Sequence, residues 1–197
     1  MTGTSPDIIT RLIPFNPHRF DACMSYIAQR IYQRPLTIFE LVKHHVMTDV
    51  FQVLAHGHQV IGGELEPWPF GPVIEPAYNR LKHWEQRHEE SGGAFQPPEY
   101  EILDGELAAY RPRASFDPDD ISPAEVDAMT RAADLLRPLS FDEAYRFFHD
   151  DGTFMGRAYN RALSERRALA WGDIIDAHDQ IAGSNLQQLK RRLISYG

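Results

Sequence analysis

The 197-residue chain is poor in cysteine, in long apolar runs and in positive charge, and each shortage excludes a class of protein. Its single cysteine, Cys23, excludes an internal disulfide framework and any cysteine-rich zinc site. No apolar run approaches the roughly 18–20 residues of a membrane span. The N-terminus lacks the basic start and apolar stretch of a secretory signal, so we expect a cytoplasmic protein without a membrane partner.

The charge balance is acidic, with a formal net charge of −8. Much of it is local, since residues 99–127 contain nine acids and two arginines. A nucleic-acid-binding protein needs a basic face, because phosphate neutralisation supplies most of its affinity. The sequence therefore argues against a nucleic-acid partner. The acidic region fits either a basic protein partner or a solvated surface that aids solubility.

Length and composition predict a globular protein with 43% hydrophobic and 24% charged residues. We expect residues 1–17 to be an irregular lead-in and residues 18–197 to be a single domain. The predicted fold is mainly α, with about seven helices and a small antiparallel β-hairpin within a loop and hairpin insertion at about 90–120.

The strongest helix signal begins at Thr37, where Thr37 and Glu40 have the spacing of a capping box. This helix is predicted to run to about Ala55. Its apolar positions cover so wide an arc that we expect a central, mostly buried helix. Val42, Val46 and Val50 are expected in the core, and a narrow strip is left for Lys43, His44, His45 and Asp49.

Other helices carry equally local signals. A first amphipathic helix is predicted over 18–33, and Ser122–Glu125 and Ser140–Glu143 are further capping boxes. The helix after Ser140 is given an apolar face of Phe141, Ala144, Tyr145 and Phe148. One more helix is predicted over 153–167, and a last one from about Asp173 into Lys190-Arg191-Arg192.

The segment 62–84 contains a Gly-Gly turn, two prolines around Trp68, and Phe70-Gly71-Pro72. Pro72 suits the first turn of a helix, whose predicted apolar stripe is Val73, Ala77, Leu81 and Trp84. An aromatic loop of this kind either covers a core or forms a recognition surface. Further along, strands within 100–110 with Asp104-Gly105 between them predict a two-residue hairpin turn.

Motifs for chemistry are scarce. The sequence has no G-x-S-x-G, P-loop or G-x-G-x-x-G motif. The histidines at 44, 45, 56 and 58 lack the spacing of a metal site, since neighbouring residues of a helix point in different directions. His149-Asp150-Asp151 could serve a metal-assisted hydrolase, although Asp-Asp-Gly more often makes a turn. We expect no catalytic residue, no metal and no cofactor.

Two groups of residues together resemble the Panacea domain, the SocA-like antitoxin domain of a phage-associated protein family. The first group runs from Leu41-Val42-Lys43 through Gly62-Gly63-Glu64 to Phe70-Gly71-Pro72-Val73, Tyr78 and Leu81. The second comprises Asp119 through Val126, Ser140 through His149, and Phe154 with Ala158. The similarity covers roughly residues 18–185. The chain departs from the family pattern at two places. Lys43 is followed by His44-His45, where the family often has leucine and then aliphatic and aromatic residues, and Phe154 stands where the family favours tryptophan.

The resemblance implies an antitoxin of a toxin–antitoxin system. Such a protein neutralises a cognate protein toxin by direct binding, and one branch of the family delivers the toxin to a protease. The partner is then expected to be a toxin encoded next door, in a prophage or plasmid setting. The alternatives are an interaction module of phage or plasmid origin without a toxin, and the hydrolase at His149, Asp150 and Asp151.

The predicted partner-binding face lies in segment 62–78. Aromatic side chains dominate interface hot spots because they bury much area and have few rotatable bonds. Trp68 and Phe70 are therefore the candidate anchors, and acidic neighbours would suit a basic partner. The full set of candidate residues is Glu64, Glu66, Trp68, Phe70, Glu75 and Tyr78.

Overall fold

The computed structural model describes residues 13–113 and 120–181. It is mainly α-helical with small antiparallel sheets, so the predicted fold class is confirmed. The chain divides into two compact units, one formed by Met1–Glu64 and Val73–Pro138 and the other by Leu65–Pro72 and Leu139–Gly197. A single domain spanning 18–197 stays a prediction.

The helices follow one another along the chain, and their bounds agree with the sequence signals to within a few residues. A π-helix, Ile27–Tyr32, continues the first α-helix. The α-helices are α1 (Pro17–Tyr26), α2 (Ile38–His56), α3 (Glu75–Glu90), α4 (Pro123–Leu136), α5 (Phe141–His149), α6 (Phe154–Glu165) and α7 (171–181).

In the described part of the chain, five short strands form two antiparallel sheets. β1 (Leu36–Thr37), β4 (Tyr100–Leu103) and β5 (Ala109–Pro112) make a three-stranded sheet in the order β1-β5-β4. β2 (Leu65–Trp68) and β3 (Gly71–Ile74) make a two-stranded sheet. The predicted hairpin near 100–110 is therefore present, and β1 and the β2–β3 pair add strands that the sequence analysis did not predict.

Helix α2 is the central helix of the first unit, as predicted. Its capping box is formed, because the Thr37 side chain accepts from the Glu40 amide and the Glu40 carboxylate accepts from the Thr37 amide. Val46 and Val50 are fully buried and Val42 is nearly so. α2 packs mainly against α4 in the same unit.

The polar strip of α2 is buried as well, which the sequence analysis did not predict. Lys43, His44, His45 and Asp49 are each at most 2% exposed. His44 is paired on both ring nitrogens, with Nδ1 2.7 Å from the Glu40 carbonyl oxygen and Nε2 3.0 Å from the Tyr32 hydroxyl. Burial lowers the pKa of His44 to about 4, so this imidazole is neutral at neutral pH.

Asp49 holds the turn that precedes the second unit. One carboxylate oxygen accepts from the amides of Val60 and Ile61 at 2.8 Å, and the other accepts from Gly62 at 2.9 Å. Gly62 has a φ of +85°, and a Cβ there would collide with the Pro14 carbonyl. The turn therefore requires both the buried acceptor and a glycine.

The prediction for Pro72 is wrong. Pro72 and Val73 lie in β3, and α3 begins at Glu75 with Pro76 in its first turn. Two nearby prolines fit a helix start, and the extended segment takes the first of them because proline is tolerated at strand edges. Ala77, Leu81 and Trp84 are the buried face of α3.

The Asp104-Gly105 turn is also corrected. Leu103 pairs with Ala109, so residues 104–108 form a five-residue connection rather than a two-residue turn. Gly105 does not adopt a positive φ. The Asp104 carboxylate instead lies 3.1 Å from His88 Nε2, so a tertiary contact replaces the local turn chemistry.

Three predictions fall partly outside the described residues. These are the lead-in over 1–17, of which residues 1–12 are not described, and the loop and hairpin insertion at about 90–120, of which 114–119 are not described. The last predicted helix is present from residue 171, but Lys190-Arg191-Arg192 lies outside the described residues.

Removal of the Asp49 carboxylate should destabilise the protein severely. Asp49→Ala leaves three buried backbone N–H groups without an acceptor, each costing roughly 1–3 kcal/mol. We expect a loss of at least about 3 kcal/mol in the free energy of unfolding, measured by denaturant titration. The control is Asp127→Ala on α4, where the aspartate is 63% exposed and the loss should stay within about 0.5 kcal/mol. Equal losses would contradict the buried clamp.

Acid should destabilise the wild type through His44. Its pKa is lowered from 6.5 to about 4 on folding, so the unfolded chain binds the proton more readily between these values. Lowering the pH from 7.5 to 5 therefore reduces the free energy of unfolding of the wild type by about 2 kcal/mol through this group. His44→Phe lacks the imidazole and does not lose this contribution. The stability gap between wild type and His44→Phe should shrink by that amount. A gap to His44→Phe that does not change between pH 7.5 and pH 5 would disprove the assignment.

Candidate functional site

The six residues predicted for partner binding are divided between the two units. Glu64, Glu75 and Tyr78 belong to the first unit, and Glu66, Trp68 and Phe70 to the second. Phe70 is 61% exposed, and Glu64 and Glu75 are also exposed. Glu66, Trp68 and Tyr78 are half-buried. That the six form one partner-binding face stays a prediction.

Within the second unit, segment 65–72 is fixed by backbone contacts at both ends of β2. The Leu169 amide donates to the Leu65 carbonyl at 2.8 Å. At the other end, the Tyr159 hydroxyl donates to the Trp68 carbonyl at 2.9 Å. Phe70 lies in the turn just after this fixed strand. The turn is therefore held by its backbone, and the Phe70 side chain is left to solvent.

Among the described residues of the second unit, three aromatic side chains are exposed, Phe70, Phe141 and Tyr145, which we call the aromatic surface. The rings of Phe70 and Phe141 are in contact, with centroids 6.2 Å apart. Phe141 is 53% and Tyr145 38% exposed. Single exposed apolar side chains are ordinary, but contacting exposed aromatics are typical of interaction sites.

Helix α5 explains why Phe141 and Tyr145 are exposed. Its capping box places Ser140 before Phe141, and its buried residues are Ala144 and Phe148. Phe141 and Tyr145 are four residues apart and therefore occupy a neighbouring face. The predicted apolar face of α5 is thus corrected, because one half packs inward and the other half faces solvent. The sequence signal for two separate faces was the spacing of four residues within each pair, Phe141 with Tyr145 and Ala144 with Phe148.

His149, the last residue of α5, lies beside this surface. Its Nδ1 is 2.6 Å from the Tyr145 carbonyl oxygen, and its Nε2 is 3.1 Å from the Pro69 carbonyl oxygen. The imidazole stacks on the Tyr145 ring with centroids 3.8 Å apart and planes 17° apart. Tyr159 meets it edge-on at 4.5 Å. His149 therefore joins α5 to the turn that carries Phe70.

The geometry at His149, Asp150 and Asp151 does not assemble a metal site. Both nitrogens of His149 face carbonyl oxygens, Asp150 accepts from the Gly152 amide at 2.7 Å, and Asp151 accepts from Asn160 Nδ2 at 2.7 Å. Asp150 thus makes the turn that the Asp-Asp-Gly sequence favours. Within 13–113 and 120–181, no three His, Cys, Asp or Glu side chains are grouped to hold a metal ion. The absence of enzymatic activity stays an expectation.

The charge around the aromatic surface is acidic. Residues 140–152 contain four acids, Asp142, Glu143, Asp150 and Asp151, and one arginine. All four acids are exposed. Hydrogen bonds from the amide and hydroxyl of Ser140 lower the pKa of Glu143 and so favour its ionised form. Negative charge of this kind is complementary to a basic surface.

A small cavity in the second unit lies between α6 and α7. Its volume is about 90 Å³, and Arg157, Arg161 and Asp173 are among the residues that line it. Pockets for small-molecule ligands are commonly about 300–1,000 Å³. The exposed aromatic surface is therefore the stronger candidate site.

No helix in the described part of the chain is both long and apolar enough to cross a bilayer. A scan of protein-family models finds no match to this chain. Searches of curated proteins and of solved structures find no match either.

Stability measurements should separate the roles of the two candidate anchors. Phe70→Ala removes an exposed ring and should cost less than about 1 kcal/mol of the free energy of unfolding. Trp68→Ala removes a half-buried indole and should cost more, about 1–3 kcal/mol. Thermal unfolding monitored by circular dichroism measures both. A larger loss for Phe70→Ala than for Trp68→Ala would contradict the exposure of Phe70.

Proposed function

We propose that this chain is an antitoxin that neutralises a protein toxin by direct binding, with the aromatic surface as its main contact. The observation that carries this proposal is the pair of contacting rings, Phe70 and Phe141, each more than half exposed in one compact unit. The resemblance to the Panacea domain supplies the antitoxin class. Residues 70–73 and 140–149, which carry part of that resemblance, contain both phenylalanines.

The energetics of association support a role for these rings. An exposed phenylalanine gains free energy when it is covered by a partner, at roughly 25 cal/mol per Å² of apolar area. It also loses little side-chain entropy, because only two torsions become fixed. Phe70 and Phe141 already touch in the free protein, so part of the ordering cost is met before binding.

Electrostatics favour a basic toxin. The chain carries a net charge of −8, and four exposed acids lie within residues 140–152. Complementary charge speeds the encounter of two proteins and disfavours acidic competitors. In this proposal the toxin is encoded next to the antitoxin and is met in the cytoplasm. Contact is sufficient for neutralisation, and delivery to a protease is a further step taken in one branch of the family.

The proposal is tested by co-expression with the neighbouring gene. Expression of a toxic neighbour alone should stop growth, and co-expression of this chain should restore it while the two proteins co-purify. A neighbour that is harmless and does not bind would contradict the antitoxin assignment. A harmless neighbour that binds would instead identify an interaction module without a toxin.

Truncation of the aromatic surface should weaken binding without unfolding the protein. Phe141→Ala and Phe70→Ala should each cost about 2 kcal/mol or more of binding free energy, roughly a thirtyfold loss in affinity. Isothermal titration calorimetry against the toxin measures this. The matched control is Leu163→Ala, which removes another exposed apolar side chain of the second unit, 45% exposed on α6. Unchanged affinity and growth protection in both phenylalanine variants would overturn the surface.

A further inference from the structure

Strand β4 lies at the edge of the three-stranded sheet, and part of its backbone points away from the sheet. Its only strand neighbour in the described part of the chain is β5. Tyr100 lies opposite Pro112, which has no N–H to donate to the strand pair. Because orientation alternates along an antiparallel pair, Ile102, like Tyr100, directs its N–H and C=O outward. The Arg113 amide donates to the Glu99 carbonyl at 2.9 Å, as this register requires.

The outward groups of Ile102 are occupied by one side chain, that of Gln96. Its Oε1 accepts from the Ile102 amide at 2.6 Å, and its Nε2 donates to the Ile102 carbonyl at 3.3 Å. A carboxamide presents a planar donor and acceptor, as a backbone peptide group does. Gln96 therefore stands where a peptide group of a neighbouring strand would pair with β4, and we call it the internal ligand of this edge.

The segment that carries Gln96 is fixed to α3 through the preceding residue. The Phe95 amide donates to Ser91 Oγ at 2.7 Å, and the Phe95 carbonyl oxygen lies 2.7 Å from His88 Nδ1. The Arg87 guanidinium lies over the Phe95 ring at 4.0 Å. Gln96 Nε2 also lies 3.3 Å from His88 Nδ1. These contacts of Phe95 do not involve β4, so rotation of the Gln96 side chain frees the edge while the segment stays in place.

A second side chain covers the neighbouring outward carbonyl. The Tyr100 carbonyl accepts from Arg113 Nε at 2.9 Å. Exposed strand edges are templates for pairing with another chain, and proteins commonly cover them. Here the cover consists of side chains rather than of a further strand. A partner strand that displaces Gln96 exchanges one pair of hydrogen bonds for another and adds more along its length, so the displacement costs little.

The charge around this edge is acidic. Residues 99–106 contain four acids and no lysine or arginine. Asp104 and Glu106 are exposed. On β5, Arg111 pairs with Glu101 at 3.0 Å and offsets part of this charge. A basic strand is attracted here, whereas a second copy of this chain, with its net charge of −8, is repelled.

We propose that the outer edge of β4 is a strand-pairing site for an extended basic segment of a partner protein, which displaces the internal ligand Gln96. Segments that add to a sheet edge gain affinity from main-chain hydrogen bonds and specificity from alternate side chains. The lysine or arginine side chains of the segment then meet the acids of residues 99–106. This site belongs to the first unit, and it does not depend on the antitoxin assignment.

The internal ligand is tested on the free chain. Gln96→Ala removes both contacts with Ile102, so the Ile102 amide should exchange with solvent about tenfold faster, as measured by hydrogen exchange in NMR spectra. The matched control is Gln86→Ala, which removes an exposed glutamine of α3 whose Nε2 donates to Glu90 at 2.7 Å. This control should leave the exchange of Ile102 unchanged. Equal exchange in wild type and Gln96→Ala would contradict the occupied edge.

Strand pairing is tested with a synthetic seven-residue peptide of alternating lysine and valine. Titrated into the ¹⁵N-labelled wild-type chain, this peptide should shift the amide signals of residues 100–104 in a saturable manner. Gln96→Ala should bind it about tenfold more tightly, because the internal competitor is gone. The same peptide with an N-methylated backbone keeps its charge but cannot pair as a strand, and it should bind at least about tenfold more weakly.

The outcomes separate the possible occupants of the edge. Absence of binding, shifts confined to other segments, or equal affinity in wild type and Gln96→Ala would each overturn the proposal. Equal binding of the N-methylated peptide would also overturn it, because the contact would then be charge attraction alone. A concentration-dependent dimer of Gln96→Ala that excludes the peptide would replace the basic segment with a second copy. Each of these results leaves the co-expression test of the antitoxin assignment unaffected, so the two proposals fail separately.

Discussion

The buried carboxylate of Asp49 is the contact on which the first unit depends. It accepts hydrogen bonds from three successive backbone amides, Val60, Ile61 and Gly62, at 2.8–2.9 Å. Burial raises the pKa of Asp49 to about 6, and the amide donors act against this by favouring the ionised form. Without the Asp49 carboxylate, these three backbone amides would be buried without a hydrogen-bond acceptor. The central helix α2 and the turn at 60–62 are therefore joined by one side chain.

The second unit differs from the first because part of its apolar surface remains exposed to solvent. Ala144 and Phe148 pack inward on α5, whereas Phe141 on the same helix stays exposed and touches Phe70. Folding alone gains little from such a pair, since both rings remain largely hydrated. The gain is available to a partner, and this difference supports an interaction role.

Structures that depend on neighbouring residues were predicted correctly from the sequence, whereas those decided by contacts between distant residues were not. The capping boxes at Thr37, Ser122 and Ser140 all form, because each depends only on residues three apart. Pro72 was misplaced because proline suits both a helix start and a strand edge, so the neighbouring Pro76 decided the boundary. The hairpin turn was wrong because Asp104 binds His88, sixteen residues earlier.

The sequence pointed to one of the residues of the aromatic surface, Phe70, and not to the others. Phe70 was predicted as a candidate anchor because it is aromatic, and the structure shows that its side chain is exposed; its role in binding stays a prediction. Phe141 was missed because spacing alone does not tell which of two neighbouring helix faces turns inward. The bridge from His149 to Pro69 joins residues 80 positions apart, and no periodicity in the chain encodes such a pairing.

The central claim is that the aromatic surface of the second unit binds a toxin. Hydrogen exchange of the chain, free and in complex with the co-expressed product of the neighbouring gene, tests this most directly because it reads every segment at once. The account predicts that protection on binding concentrates in residues 65–72 and 140–149. Protection confined to the first unit, with both of these segments exchanging as in the free chain, would contradict it.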